Sequence, residues 1–291
     1  MQQSTADTYR ANGFMIFRQA LDRRQIADLA RLEEEVVSPF AGPLLRHDGR
    51  LAPHDFYRSA ELSVLERSRS GLMNAHLLKD SLVQPFADAF ARLLASPAMF
   101  DCFHALDGEE RYTLHQTIFF FVSPLIGSHL DRMTLDTDPL GHSFTAWIPI
   151  DPTNARNGSV FVVPHPAGEY DSEQELGIVA TGDPGAAKKV HGLALAQKLQ
   201  SRDAVMVAPI LNLGDLLVFA PSTPHGSFPS VKPEFRRRSV QTVYRATRFD
   251  RWGGYPAHDQ PHDISAEESC ISARFNFLRV HMPPLSAGSP G

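Results

Sequence analysis

From about residue 111 onward the chain is cut into short runs of β-branched and aromatic residues, each ended by glycine, proline, asparagine or aspartate. The runs fall at 113–122, 144–150, 160–163, 204–208, 216–220, 239–244 and 275–280. Side chains of these types suit a pleated, half-buried surface, and the punctuation supplies turns. Many short strands with such turns predict an antiparallel sandwich or barrel rather than a parallel βαβ sheet. Upstream the pattern differs. Residues 13–17 read as a buried opening strand, and a helix follows over 22–37, with Ile26, Leu29, Leu32 and Val36 on one face. A second helix carries the stripe Leu82, Phe86, Ala89, Phe90 and Leu93, with Ser81 as its cap and Pro85 in its first turn. The opening strand needs a sheet to join and the helices need a sheet face to cover, so a single domain over 1–291 is expected. Its parts are a helical cover at about 1–110, a β core at about 111–285, and a polar insertion at about 169–202 with a helix near 191–199.

A chain of 291 residues can bury one substantial core. Lys+Arg number 28 against 33 Asp+Glu, a formal charge of −5, which argues against nucleic-acid or anionic-membrane partners because both need a basic surface. No run of eighteen apolar residues occurs, and MQQSTADTYR lacks the basic and apolar regions of a secretory signal. The two cysteines, Cys102 and Cys270, form no CxxC pair and are too few for a disulfide framework. These features predict a reduced, cytoplasmic protein.

Among thirteen histidines only one begins a His-x-Asp or His-x-Glu tripeptide, His129-Leu130-Asp131. On a strand, residues i and i+2 point the same way, so His129 and Asp131 can reach one ion while Leu130 packs behind them. His225, after a Pro-Ser-Thr-Pro corner, is the third candidate. Two imidazoles and one carboxylate on one face of an octahedron form the ligand set of non-haem Fe(II) oxygenases. About one such tripeptide is expected by chance at this composition, so the surroundings must carry the reading. No GxSxG, P-loop, HExxH or GxGxxG motif competes. The cluster around His258 and His262 reads as a Pro-rich loop, and Asp215 as a turn residue opening a strand.

The surroundings are ordered segments: GFMIFRQALDRRQIADL, HQTIFFF, HLD, AWIPIDPTNARNGSVFVVPH, and GDLLVFAPSTPHGS running on to FRRRS. Together these resemble the phytanoyl-CoA dioxygenase superfamily of Fe(II)/2-oxoglutarate oxygenases. The resemblance implies a mainly β, double-stranded β-helix (jelly-roll) domain with N-terminal helices packed on the sheet. It implies Fe(II) held by His129, Asp131 and His225, with 2-oxoglutarate and O2 as cosubstrates. It implies hydroxylation of a small organic metabolite as 2-oxoglutarate is decarboxylated to succinate. Its cosubstrate arginine matches Arg236, eleven residues after His225. Arg238 shares a strand face with Arg236 and stays in competition, while Arg237 would face the other way. Gln116, Thr145 and Trp147 match positions lining the 2-oxoglutarate site. Two alternatives stand beside this reading. One is a cupin-like metal-binding or sensing protein without oxygen chemistry. The other is an oxygenase that desaturates, closes a ring or epimerises.

Overall fold

The computed structural model describes residues 4–47, 49–58, 63, 70–124, 126–154, 156–166, 184–231, 236–251 and 279–280. In chain order its strands are β1 (Phe14–Phe17), β2 (Leu44–Leu45), β3 (Leu51–Ala52), β4 (Leu72–Met73), β5 (Tyr112–Phe120), β6 (Thr137–Asp138), β7 (Ser143–Pro149), β8 (Val160–Val162), β9 (Leu216–Phe219), β10 (His225–Ser227), β11 (Ser239–Ala246), β12 (Asp250–Arg251) and β13 (Arg279–Val280). Seven of them form one antiparallel sheet in the order β1-β9-β7-β11-β5-β13, with β4 sharing the outer edge of β5. The opening strand does join this sheet, Phe14 opposite Phe219 and Phe17 opposite Leu216.

Both faces of the large sheet are covered. Leu216, Val218, Ala146, Ile148, Val240 and Tyr244 project into the main core, where they meet Ile26, Leu29, Phe86, Phe90, Phe100 and Phe103 from the N-terminal helices. The alternate residues Leu217, Phe219 and Trp147, with Phe14 and Ile16, pack on the other face against Val160 and Val162 of β8. There β8 pairs with β10 as a second, two-stranded sheet. Single bridges extend it on either side, Val207 to Val162 and His129 to His225. The expected strand at 204–208 is therefore reduced to one bridge.

The helices are α1 (Thr5–Asn12), α2 (Arg23–Leu32), α3 (His54–Arg58), α4 (Gln84–Leu94), α5 (Pro97–Asp107), α6 (Arg132–Leu135) and α7 (Pro184–Ser201). Asp22 caps α2 by accepting from the Arg24 amide at 2.8 Å. The helix expected over 22–37 does not stay α-helical. From Glu33 to Val37 it widens into a π turn, and Glu33 is fully buried there. Ser81 does not cap α4; the cap position is Val83, without a side-chain bond, although Pro85 does sit in the first turn. Four helices were not expected from the sequence: the short α3 and α6, and the longer α1 and α5. α1 buries only Tyr9 and so shows little periodicity, while α5 buries Met99, Phe100, Phe103 and Leu106 at helical spacing. In the insertion, the helix expected near 191–199 is the C-terminal part of a longer helix, α7. The expected strand at 275–280 and the His258–His262 cluster lie outside the described residues, apart from β13. No helix among the described residues is long and apolar enough to cross a membrane.

One buried group sets a pH expectation for the fold. His76 sits on the 3-10 turn Ala75–Leu77, its ring 6.4 Å from that of Phe90, and its Nδ1 is enclosed without a hydrogen-bond partner. Burial pushes its pKa from 6.5 to about 4. Between those values the unfolded chain binds a proton that the folded one refuses, so stability falls as pH drops through this window. In denaturant titrations, the native protein should lose about 2 kcal/mol more than His76→Gln between about pH 7 and pH 5. Equal losses would show that His76 is not held neutral.

Candidate active site

Two chain segments meet at the mouth between the large and small sheets. The His129 amide donates to the His225 carbonyl at 3.0 Å, and the His225 amide returns a bond to the His129 carbonyl at 3.1 Å. The approach depends on Gly226, where a Cβ would lie 2.5 Å from the Ile126 carbonyl oxygen. Leu130, between the two ligand candidates, packs into a small cluster with Val163, Leu195 and Leu199, the latter two from α7.

Each imidazole is oriented by its own neighbourhood. His129 Nδ1 is 3.0 Å from the Gly127 carbonyl and His225 Nδ1 is 2.9 Å from the Thr223 carbonyl. A carbonyl can only accept, so both protons sit on Nδ1 and both Nε2 atoms turn toward Asp131. Each Nε2 lies 3.6 Å from Asp131 Oδ1. The three ligand atoms all fall within 4.8 Å of one another. Atoms so spaced can each lie about 2.0–2.2 Å from one divalent ion, and a carboxylate with two neutral imidazoles suits its charge. His225 Nε2 is also buried with no hydrogen-bond partner, a cost that a metal ion would remove.

The route to this convergence differs from the extended i, i+2 arrangement expected. Asp131 has φ −74° and ψ −26° and heads the short helix α6, so the chain turns under the histidines instead of running past them. Its second oxygen, Oδ2, accepts a bond from the Thr145 hydroxyl at 2.6 Å.

Trp147 does line the cleft, which it shares with His129, His225, Phe219, Gln241 and Arg237. The arginine expectation needs correction. Arg236 is 46% exposed and paired with Glu34 at 2.5 Å, outside the cleft. Arg238 is tied to Asp151, Glu33 and the Ala30 carbonyl on the helical side. Arg237 is the one that enters. The reason is strand phase: Ser239 and Gln241 lie opposite Pro149 and Trp147, on the cleft face, while Val240 and Tyr244 are in the helical core. Odd-numbered residues therefore point inward. Both faces of β11 are buried, so hydrophobicity did not reveal the phase; the Arg-x-Ser spacing with Gln241 beyond was the available signal.

Arg237 is 1% exposed. Its Nη1 donates to Ser239 Oγ at 2.9 Å and its Nη2 to Ser123 Oγ at 3.0 Å, while Nε has no partner. Its guanidinium lies 5.2 Å from the Trp147 ring centre. No carboxylate pairs with it among the described residues. Burial, opposed by the more distant Asp151, pushes its pKa down to about 9, so it remains a cation at neutral pH.

Gln116 sits in the same cross-strand row as Thr145, through Val243, yet it is half-buried and outside the cleft wall. Asp215 accepts from the Gln19 and Asn212 amides and from Arg18, a turn held by hydrogen bonds. His142 stacks on Phe249, 3.9 Å between ring centres, away from the ligand cluster.

The family model for phytanoyl-CoA dioxygenase (PhyH) matches residues 9–238. The chain belongs to the phytanoyl-CoA dioxygenase family. Solved structures agree on the fold of this PhyH member. The epimerase SnoN, in complex with Fe3+, alpha ketoglutarate and nogalamycin RO, is 18% identical, with 86% of each chain covered and a TM-score of 0.53. The alpha ketoglutarate dependent carbocyclase SnoK from nogalamycin biosynthesis is 15% identical over 86% of this chain and 84% of its own, TM-score 0.53. EctD from S. alaskensis with 2-oxoglutarate and 5-hydroxyectoine is 18% identical over 83% of this chain and 74% of its own, TM-score 0.52. Among curated proteins none matches this PhyH chain.

Proposed function

We propose that this PhyH-family protein is a non-haem Fe(II)/2-oxoglutarate-dependent dioxygenase that hydroxylates a small organic metabolite in the reducing cytoplasm. The observation that carries the reading is the shared cleft: a His-Asp-His cluster and a buried arginine that pairs with no carboxylate among the described residues. A buried, unpaired charge is expensive unless a ligand neutralises it. A guanidinium facing the cluster offers parallel donors to the far carboxylate of a dicarboxylate whose other end reaches the metal. A cupin-like sensor would have no need of this arginine. Under the same reading, the two facing sheets are the two walls of a jelly roll, whose strand ends bring His129 and His225 together.

Each residue then has a defined task. His129, Asp131 and His225 would hold Fe(II). Bound there, iron with 2-oxoglutarate and O2 supplies the oxidising power that yields succinate, carbon dioxide and an oxidised C–H bond. Arg237, steadied by Ser123 and Ser239, holds the distal carboxylate. Trp147 walls the site and packs beside the guanidinium, which strengthens the charge interaction by excluding water.

The test is succinate release from 2-oxoglutarate under air, with Fe(II) and ascorbate, against a metabolite panel, followed by mass spectrometry of products. A gain of one oxygen atom supports hydroxylation. Loss of two hydrogens, or an isomer of unchanged mass, would replace it with desaturation or ring closure in the first case and epimerisation in the second. Protein that binds neither Fe(II) nor 2-oxoglutarate would refute the oxygenase reading.

A further inference from the structure

Thr145 is expected from the resemblance to line the 2-oxoglutarate site, yet its hydroxyl is spent on Asp131. The Oγ1 to Oδ2 distance is 2.6 Å, in the range of a charge-assisted O–H···O⁻ bond. Thr145 is 1% exposed, and its backbone is fixed between Val243 of β11 and Phe219 of β9. The donor is therefore rigid. With Oδ2 held toward β7, the oxygen left facing the imidazoles is Oδ1, at 3.6 Å from each Nε2.

We propose that Thr145 is a positioning residue that makes Asp131 a one-oxygen ligand. A carboxylate free to rotate can give an ion both oxygens and so occupy a position that small molecules need. The Thr145 hydrogen bond removes that option and also fixes where Oδ1 stands. This inference rests on the metal reading above, and it assigns to Thr145 a role through Asp131 without contact with cosubstrate.

The experiment is a titration of metal-free protein with Co(II), followed by calorimetry and by the visible d–d absorption of the bound ion. Native protein, Thr145→Val and Thr145→Ser are compared, with melting curves as a check on folding. Thr145→Val keeps the shape and loses the donor. It should bind Co(II) about 10–100-fold more weakly, as for loss of an outer-sphere partner, and show an altered spectrum. Thr145→Ser keeps the donor and should restore both affinity and spectrum. Native affinity and spectrum in Thr145→Val would overturn the proposal while leaving the metal site standing. A serine variant as weak as the valine one would place the effect in packing and overturn it too, and this arm decides the matter if the valine variant does not fold. Native protein that takes up no Co(II) would remove the metal reading itself, and this inference with it.

Discussion

Arg237→Gln should raise the 2-oxoglutarate concentration for half-saturation by about 30-fold or more, because breaking a buried, hydrogen-bonded charge pair costs about 2–5 kcal/mol. Metal uptake should be nearly unchanged, since Arg237 bonds to Ser123 and Ser239 and touches no ligand of the cluster. Arg236→Gln serves as the internal comparison. Its pairing with Glu34 is solvent-exposed, so its loss is worth about 0–1 kcal/mol and the cosubstrate requirement should hardly move. Steady-state titration of 2-oxoglutarate for both variants settles the order. A larger effect at Arg236 would mean that the arginine facing the cosubstrate is not the one the strand phase places in the cleft.

Asp131→Ala should have the second large effect, this time on the metal. The substitution removes the only carboxylate of the three-residue cluster, leaving two imidazoles with no anion to balance a divalent charge. Affinity should fall by more than the about 10–100-fold that attends loss of an outer-sphere partner. A folded-state ligand at 100 times its dissociation constant stabilises by about 2.7 kcal/mol, so the native melting temperature should rise with added Fe(II) or Co(II). The alanine variant should melt at one temperature with or without the ion. A metal-dependent rise of native size in Asp131→Ala would show that the ion binds elsewhere.

The parts of this molecule that were legible in its sequence are those with one buried face or one distinctive spacing. The stripe Ile26, Leu29, Leu32 announced α2, and the β-branched runs announced β5, β7, β9 and β11 within a few residues. The His129, Asp131 and His225 cluster was legible because ordered segments on either side of the tripeptide, and the corner before His225, set it in a recognisable frame. Three things were not. The π turn at Glu33 arises from a buried acid engaged by Arg238 and His54, partners 205 and 21 residues away along the chain. The phase of β11 was hidden because the sheet is covered on both sides, so polar and apolar residues do not alternate cleanly there. The role of Thr145 was hidden because its partner lies on a turn, and no local pattern tells a hydroxyl facing a carboxylate from one facing a neighbouring strand.

The ionic tie at Arg238 bears on how such a protein can be rebuilt. Its guanidinium reaches Asp151, two residues past β7, on one side and Glu33, with the Ala30 carbonyl, on the other, one residue from the arginine in the cleft. Arg238 thus ties the helical segment to the cleft wall from the buried side, with the exposed Arg236–Glu34 pair beside it. A chimera that exchanges the first forty or so residues for those of a relative carries away half of that tie, whatever the quality of its apolar packing. Glu33, Asp151 and Arg238 form one transferable unit, and grafts that move them together are the ones expected to keep Arg237 aimed.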